Sequence, residues 1–310
     1  MHIVIATHGR PVLLRRTLTS LADAARPQSL ERVWIVENGS DAGARDICAE
    51  WRDVLPIEYV HFPKPGKAAV LRDIVSRIGR GLIVFTDDDV RVGPGFFQAY
   101  ERATADGDTR VVLGGPLRID YETPPPQWMH RHLPPSARGW EKTDDAPITK
   151  PCFLGANYAA FAQTIIEVGS FRADLGTGSH GNPVGEEWDI QQRLLAAGCR
   201  GVYVPDAEVW HYVPRQRCDT RWLLDRQYRI FLTNGMIETK PLHGATWRGL
   251  PRWMWRRLLA LRVRAWLAML IPDPERRFEQ RKRYHEYRGY LAGLRMRPAT
   301  HPSPQRGEAG

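Results

Sequence analysis

The chain has 310 residues, 43% of them hydrophobic and 25% charged, enough to bury a full core and too varied for a low-complexity segment. Its formal charge of +9 is uneven: residues 243–297 hold fourteen Lys/Arg against four Asp/Glu, whereas residues 1–242 hold 29 basic and 30 acidic side chains. A near-neutral body with a cationic attachment excludes a uniformly basic nucleic-acid binder.

Cys48, Cys152, Cys199 and Cys218 are scattered without a Cys-x-x-Cys pair, against a zinc site or disulfide framework and for a reducing compartment. No basic-then-apolar leader precedes the first strand, so no signal peptide is expected. The longest uncharged apolar run, 265–271, is too short to span a bilayer. The expected location is cytoplasmic, with the basic tail able to reach the inner face of a membrane.

In chain order, residues 2–6 read as a strand and 7–11 as a turn. A helix follows over 12–21, with Leu14, Leu18 and Leu21 on one face. A strand at 32–36 ends in Glu37-Asn38-Gly39-Ser40, where Asn-Gly signals a turn. A helix at 44–51, a strand at 57–60, a helix at 67–79 and a strand at 81–85 come next. Alternating strands and helices predict a doubly wound α/β sheet whose strand-end turns gather in one crevice.

The fourth strand runs straight into Asp87-Asp88-Asp89. Three adjacent carboxylates at a buried strand end repel one another and require a cation among them. A hard divalent ion with a diphosphate on its far side fits best; an acidic turn capping a helix near Pro94 is the alternative.

Past residue 110 the pattern loosens. A strand is expected at 111–115, then a Pro-rich loop through Pro124-Pro125-Pro126 and Pro134-Pro135, as a lid or a disordered stretch. A strand at 153–161, a helix at 163–168 and a mobile Gly-rich loop at 176–183 follow. Gly185-Glu186-Glu187-Trp188-Asp189 then opens a helix at 190–198, and strands are expected at 201–205 and 207–213. Helix capping would use one of the two glutamates, and the other can serve as a base beside a metal-diphosphate site. His211 reads either as a satisfied structural histidine or as a metal ligand.

The order of these motifs over residues 2–235 resembles the family 2 glycosyltransferases. The matching segments are Ile3–Arg10, Val36-Glu37-Asn38-Gly39-Ser40, Gly66–Asp73, Thr86-Asp87-Asp88-Asp89, Phe153-Leu154-Gly155-Ala156-Asn157 and Gly185–Asp189. Glu187 stands where that family commonly has Asp. The resemblance implies a GT-A fold: a Rossmann-like, mixed, mostly parallel sheet flanked by helices, occupying residues 1–242. It implies a metal-dependent, inverting transfer of a sugar from a nucleotide-diphosphate donor to a hydroxyl of a glycan or glycolipid, in cell-surface polysaccharide or glycoconjugate synthesis.

It also implies the roles. Asp89, Asp87 and His211 would hold Mn²⁺ or Mg²⁺, and Asp88 would meet the donor ribose. Glu37 and Asn38 would contact the base, with Thr7 and Arg10 lining the same pocket. Lys67 and Arg72 would face the diphosphate or sugar, or else a solvated helix face. Glu187 would be the catalytic base, with Glu186 the runner-up, and Asn157 and Trp188 would lie on the acceptor side.

Residues 243–297 read as a helical appendage. Its Trp, Arg and Leu suit an anionic membrane surface, although the arginines do not gather on one side of a helical plot. Phe278, Tyr284, Tyr287, Leu291 and Leu294 form a second stripe that could pack on the catalytic body or a second subunit, and 298–310 look disordered.

Rival functions fit less well. A nucleotidyltransferase needs a Gly-rich loop after the first strand, where Thr7-His8-Gly9-Arg10-Pro11 has one glycine. A phosphatase with an Asp nucleophile leaves Glu186, Glu187 and His211 without a purpose. A catalytically silent nucleotide-sugar or glycan-binding scaffold is opposed by the intact carboxylates.

Overall fold

The computed structural model describes residues 1–176 and 184–296. The expected mobile loop at 176–183 therefore lies outside the described residues apart from Gly176, as does the expected disordered tail. The chain divides into two compact units, Met1–Asp219 and a second beginning at Thr220.

The first unit opens with β1 (His2–Thr7), α1 (Pro11–Asp23), β2 (Arg32–Asn38), α2 (Ala44–Trp51), β3 (Ile57–Phe62), α3 (Lys67–Ile78) and β4 (Leu82–Asp87). It continues with β5 (Val90–Val92), α4 (Phe96–Ala103), β6 (Val111–Gly114), β7 (Leu117–Tyr121), α5 (Pro135–Arg138) and β8 (Tyr158–Phe161). It closes with α6 (Ala162–Glu167), α7 (Glu186–Ala196), β9 (Arg200–Tyr203) and β10 (Val209–Val213). Seven strands form one sheet in the order β3-β2-β1-β4-β8-β6-β9. β1 to β4 run parallel, while β8 pairs antiparallel with both β4 and β6.

The mixed, mostly parallel sheet is thus the expected one, and its cause is in the strands. Alternate residues of β1 and β4 go to opposite faces, and both faces are covered. Ile3, Ile5 and Val84 pack with Leu14, Leu18 and Leu21 of α1. Val4, Ile83 and Phe85 pack with Leu71, Ile74 and Val75 of α3 and with Ile190 and Leu194 of α7. Parallel register brings Thr7 level with Glu37, and Ala6 level with Asp87, so three strand ends open onto one crevice.

Two local expectations need correction. The strand foreseen at 153–161 begins only at Tyr158, because the Asn157 N–H donates to Leu154 O at 2.9 Å and closes a turn before it. The Pro-rich stretch is no open loop. β7, a 3-10 turn at Gln127–His132 and α5 form a strap pinned by the Tyr121 hydroxyl on Ala137 O (2.6 Å) and by a bridge between Leu117 and Trp140.

In the second unit, α8 (Thr220–Ile237), α9 (Arg252–Leu267) and α10 (Pro274–Met296) follow one another, with a short pair β11 (Thr246–Trp247) and β12 (Leu250–Pro251) before α9. The compact units divide at 219/220, so that α8 falls in the second unit. α8 belongs with α10 because the two backbones touch at glycines. A Cβ on Gly289 would collide with the Tyr228 carbonyl, and one on Gly293 with that of Leu232. No described helix is long and apolar enough to cross a membrane.

Candidate active site

The carboxylates sit where the chain leaves the main sheet. Asp87 ends β4, and the Thr17 hydroxyl of α1 donates to Val90 O (2.8 Å) and accepts the Val90 N–H (3.1 Å). That clamp directs β5 into a second sheet of order β5-β10-β7, in which His211 pairs with Val90. The Tyr212 N–H donates to Asp89 O at 2.8 Å. His211 Nε2 consequently lies 3.3 Å from Asp89 Oδ1. One ligand atom from each of Asp87, Asp89 and His211 falls within 4.8 Å of the others.

Three cations neutralise this cluster. Arg10 pairs with Asp88 and, at 2.5 Å, with Asp89 Oδ2. Arg217 donates to Asp89 Oδ2 at 3.3 Å and to His211 Nε2 at 3.2 Å. Lys67 Nζ is 2.9 Å from Asp87 Oδ1 and 3.6 Å from Glu186 Oε1. Burial alone would raise the pKa of Asp89, but the Arg10 and Arg217 guanidinium charges beside it hold it below the usual carboxylate range. Asp87 is lowered too: Lys67 outweighs its burial. Asp88 behaves differently. Its complete burial pushes it up to about 6, against the opposing pull of Arg10 and the Thr7 hydroxyl at 2.6 Å.

The donor set suits a divalent ion. His211 Nδ1 is 2.7 Å from the Ser136 carbonyl, which can only accept, so Nδ1 carries the proton and Nε2 presents a lone pair. That lone pair faces Asp89 Oδ1, a buried oxygen with no hydrogen-bond partner among the described residues. Two electron-rich atoms in such proximity, with Asp87 beside them, match the carboxylate and imidazole preferences of Mn²⁺ and related ions.

Lys67 links the cluster to the glutamates. α7 starts after Gly185, whose φ of +102° favours glycine and which has no side chain to cap the helix. Glu186 is buried toward Lys67. Glu187 is half-buried and lines a cleft with Lys67, Thr86, Gly155 and Tyr158. Burial raises the Tyr158 phenol far above its ordinary value, and the charges of Glu187, Glu186 and Asp87 add to it.

The sequence profile described as "Glycosyl transferase family 2" matches residues 2–169. The chain belongs to that family. Over 251 residues this glycosyltransferase is 28% identical to "Succinoglycan biosynthesis protein ExoM" of Rhizobium meliloti (strain 1021), covering 78% of this chain and 76% of the relative. Over 154 residues it is 32% identical to "Validoxylamine A glucosyltransferase" of Streptomyces hygroscopicus subsp. limoneus, covering 47% of this chain and 33% of that one. Its fold is similar to that of the mannosyltransferase PcManGT from Pyrobaculum calidifontis, solved in complex with GDP-Man and Mn²⁺, at a TM-score of 0.57 and 16% identity. That alignment covers 94% of this chain and 86% of the other. S. aureus TarS 1–349 aligns at a TM-score of 0.53 and 14% identity, covering 95% and 90%. The fold is GT-A.

Not every expected residue of this glycosyltransferase reaches the cluster. Glu37 is buried, accepting the N–H groups of Ala42 (2.8 Å) and Ala44 (3.4 Å) and the Tyr59 hydroxyl (2.5 Å), so its carboxylate holds the loop into α2. Asn38 Oδ1 accepts the Gly66 N–H at 3.0 Å and ties β2 to the start of α3. Thr7 and Arg10 engage Asp88 and Asp89, and Asp88 is too enclosed in this state to meet a ribose. Arg72 is exposed, about 140° round α3 from Lys67. Asn157, expected on the acceptor side, is fully buried: it accepts from Tyr100 (2.7 Å) and donates to Pro116 O (2.9 Å) and Ala207 O (2.7 Å). Trp188 is 47% exposed and open to a ligand.

Arg217 and Ser136 were not foreseen. Arg217 follows His211 by six residues, in the 3-10 turn Arg215–Cys218, and Ser136 acts through its backbone carbonyl, which no side-chain pattern announces. Arg217, α7 and His211 lie beyond the family-matched span, whereas Ser136 lies within it.

Proposed function

We propose that this family 2 glycosyltransferase transfers a sugar, with inversion, from a nucleotide-diphosphate donor to a hydroxyl of a glycan or glycolipid, in cell-surface polysaccharide or glycoconjugate synthesis. The observation carrying this reading is the convergence of Asp87, Asp89 and His211 within 4.8 Å, with the base-bearing start of α7 reached through Lys67. The succinoglycan relative supports the polysaccharide context, and the GDP-Man and Mn²⁺ complex of the structural neighbour supports the donor class.

Asp89, His211 and Asp87 would hold Mn²⁺ or Mg²⁺. Such an ion offsets charge on the departing diphosphate. Arg217 and Lys67, which contact Asp89 and Asp87, would pair with the diphosphate. Asp88 positions Arg10 rather than touching the donor. Glu37 and Asn38 shape the base pocket by fixing the loops after β2 and before α3, and Arg72 is left to solvent. Glu187 accepts the acceptor proton as that oxygen bonds to the anomeric carbon and the bond to the diphosphate breaks. Glu186 is the weaker candidate, because Lys67 already engages it. Trp188 offers an exposed ring to the acceptor.

A metal-free form of the same transfer is the second reading, favoured by the three cations already neutralising the cluster. Incubation with a panel of UDP-, GDP- and dTDP-sugars plus Mn²⁺, followed by release of nucleoside diphosphate, tests the enzyme itself. Slow hydrolysis of at least one donor, lost in Asp89→Asn, is expected. Hydrolysis of none, or equal hydrolysis by the variant, would overturn it.

A further inference from the structure

The second unit carries a surface that sugar transfer does not explain. Met254, Trp255 and Leu258 of α9 pack with Leu291 and Leu294 of α10, which fixes the inward face of α9. The outward face remains apolar. Leu259, Val263, Trp266 and Leu267, then Met269 and Leu270 in the following turn, are all exposed, up to 65% at Trp266 and 79% at Leu270. Positions 259, 263, 266, 267 and 270 recur at the spacing of one helical stripe. Arg262 and Arg264 lie about 100° to either side of Val263, and α9 carries five arginines and no acidic residue. Arg257, Arg262 and Arg264 therefore border an apolar band once the packed face is known, while Arg252 and Arg256 stand in line with it in the turns before Leu259.

We infer that this outward face of α9 docks on an anionic lipid bilayer, lying in the interface without crossing it. An apolar stripe bordered by arginines buries the stripe at the acyl boundary while the guanidinium groups reach phosphate. A second copy of this chain is a poorer occupant, because a two-fold contact would set the arginine borders against each other with no acid on α9 to meet them. The inference rests on the second unit alone and is independent of the donor and acceptor.

The test is co-sedimentation of the full chain with vesicles of phosphatidylcholine and phosphatidylglycerol at roughly 3:1, and with phosphatidylcholine alone, in about 0.1 M salt. Binding to the anionic vesicles is expected, weaker by about tenfold or more on pure phosphatidylcholine and in the triple variant Val263→Glu/Trp266→Glu/Leu270→Glu. Trp266→Phe, which leaves the surface apolar, should bind normally yet lose part of the tryptophan quenching by brominated lipid. Equal binding by wild type and triple variant, or unchanged quenching in Trp266→Phe, would overturn the proposal. So would a lipid-free dimer in sedimentation velocity that the triple variant dissolves while neither protein binds vesicles. That result would assign the face to a second copy.

Discussion

Glu187 and Glu186 are adjacent and line the same cleft, yet their surroundings differ: Glu186 is buried 3.6 Å from the Lys67 ammonium, whereas Glu187 is half-buried. Glu187→Gln should fold with an unchanged melting temperature and lose roughly 10²–10⁴-fold in transfer rate, the usual contribution of a positioned base. Near-normal turnover would move the role to Glu186. Asn157 makes the opposite kind of claim. Asn157→Ala removes three buried hydrogen bonds and strands the Tyr100 hydroxyl, at about 1–3 kcal/mol for each group left unpaired, while leaving the KM for acceptor in place. Asp88 sets a pH signature. Its folded pKa of about 6 exceeds that of an unfolded carboxyl, so the folded chain keeps a proton the unfolded chain has lost. Its contribution to stability therefore falls as pH rises from about 4 through 6. Asp87 and Asp89 are lowered, so theirs is present above about pH 4 and lost on acidification. Denaturant unfolding of Asp88→Asn should gain on wild type by on the order of 2–3 kcal/mol between pH 4 and 7. Parallel curves would contradict the raised value.

At the scale of elements, β1 to β4 and α1 to α3 are legible because their burial is written in adjacent residues: apolar runs for the buried strands, leucines three and four apart for α1. The Asp cluster and Glu186-Glu187 are legible for the converse reason, being charges where nothing local compensates them. What escapes notice depends on distant partners. β5 and β7 are short strands defined by pairing with β10, and the strap before β8 is held through Tyr121, Trp140 and backbone carbonyls. Arg217 is one arginine among 44 basic residues until β10 sets it beside His211. α8 escapes because its close approach to α10 runs through Gly289 and Gly293, which carry no apolar signal. Gly289→Val should accordingly destabilise the second unit by at least ~1–3 kcal/mol through collision with the Tyr228 carbonyl, readable as a lower melting transition. An unchanged melt would show that the α8–α10 crossing can open without cost.

At the scale of the whole molecule, charge is partitioned between the units. In the first, acidic side chains at strand ends are balanced one by one by Arg10, Lys67 and Arg217. In the second, cationic side chains border an exposed apolar face. On the proposed reading, the first unit would take a highly charged donor and the second would carry a separate surface for attachment. The central claim concerns the first unit: Asp89 and His211 receive a divalent ion that in turn receives the donor's diphosphate. Calorimetric titration of UDP, GDP and dTDP into the full chain, with Mn²⁺ and then with EDTA, tests it most directly. At least one nucleotide should bind in Mn²⁺ and weaken by about tenfold or more in EDTA, a loss of at least ~1.4 kcal/mol, with Asp89→Asn and His211→Ala showing the same weakening in Mn²⁺. Equal affinity with and without EDTA would contradict the metal and leave the diphosphate to the resident arginines.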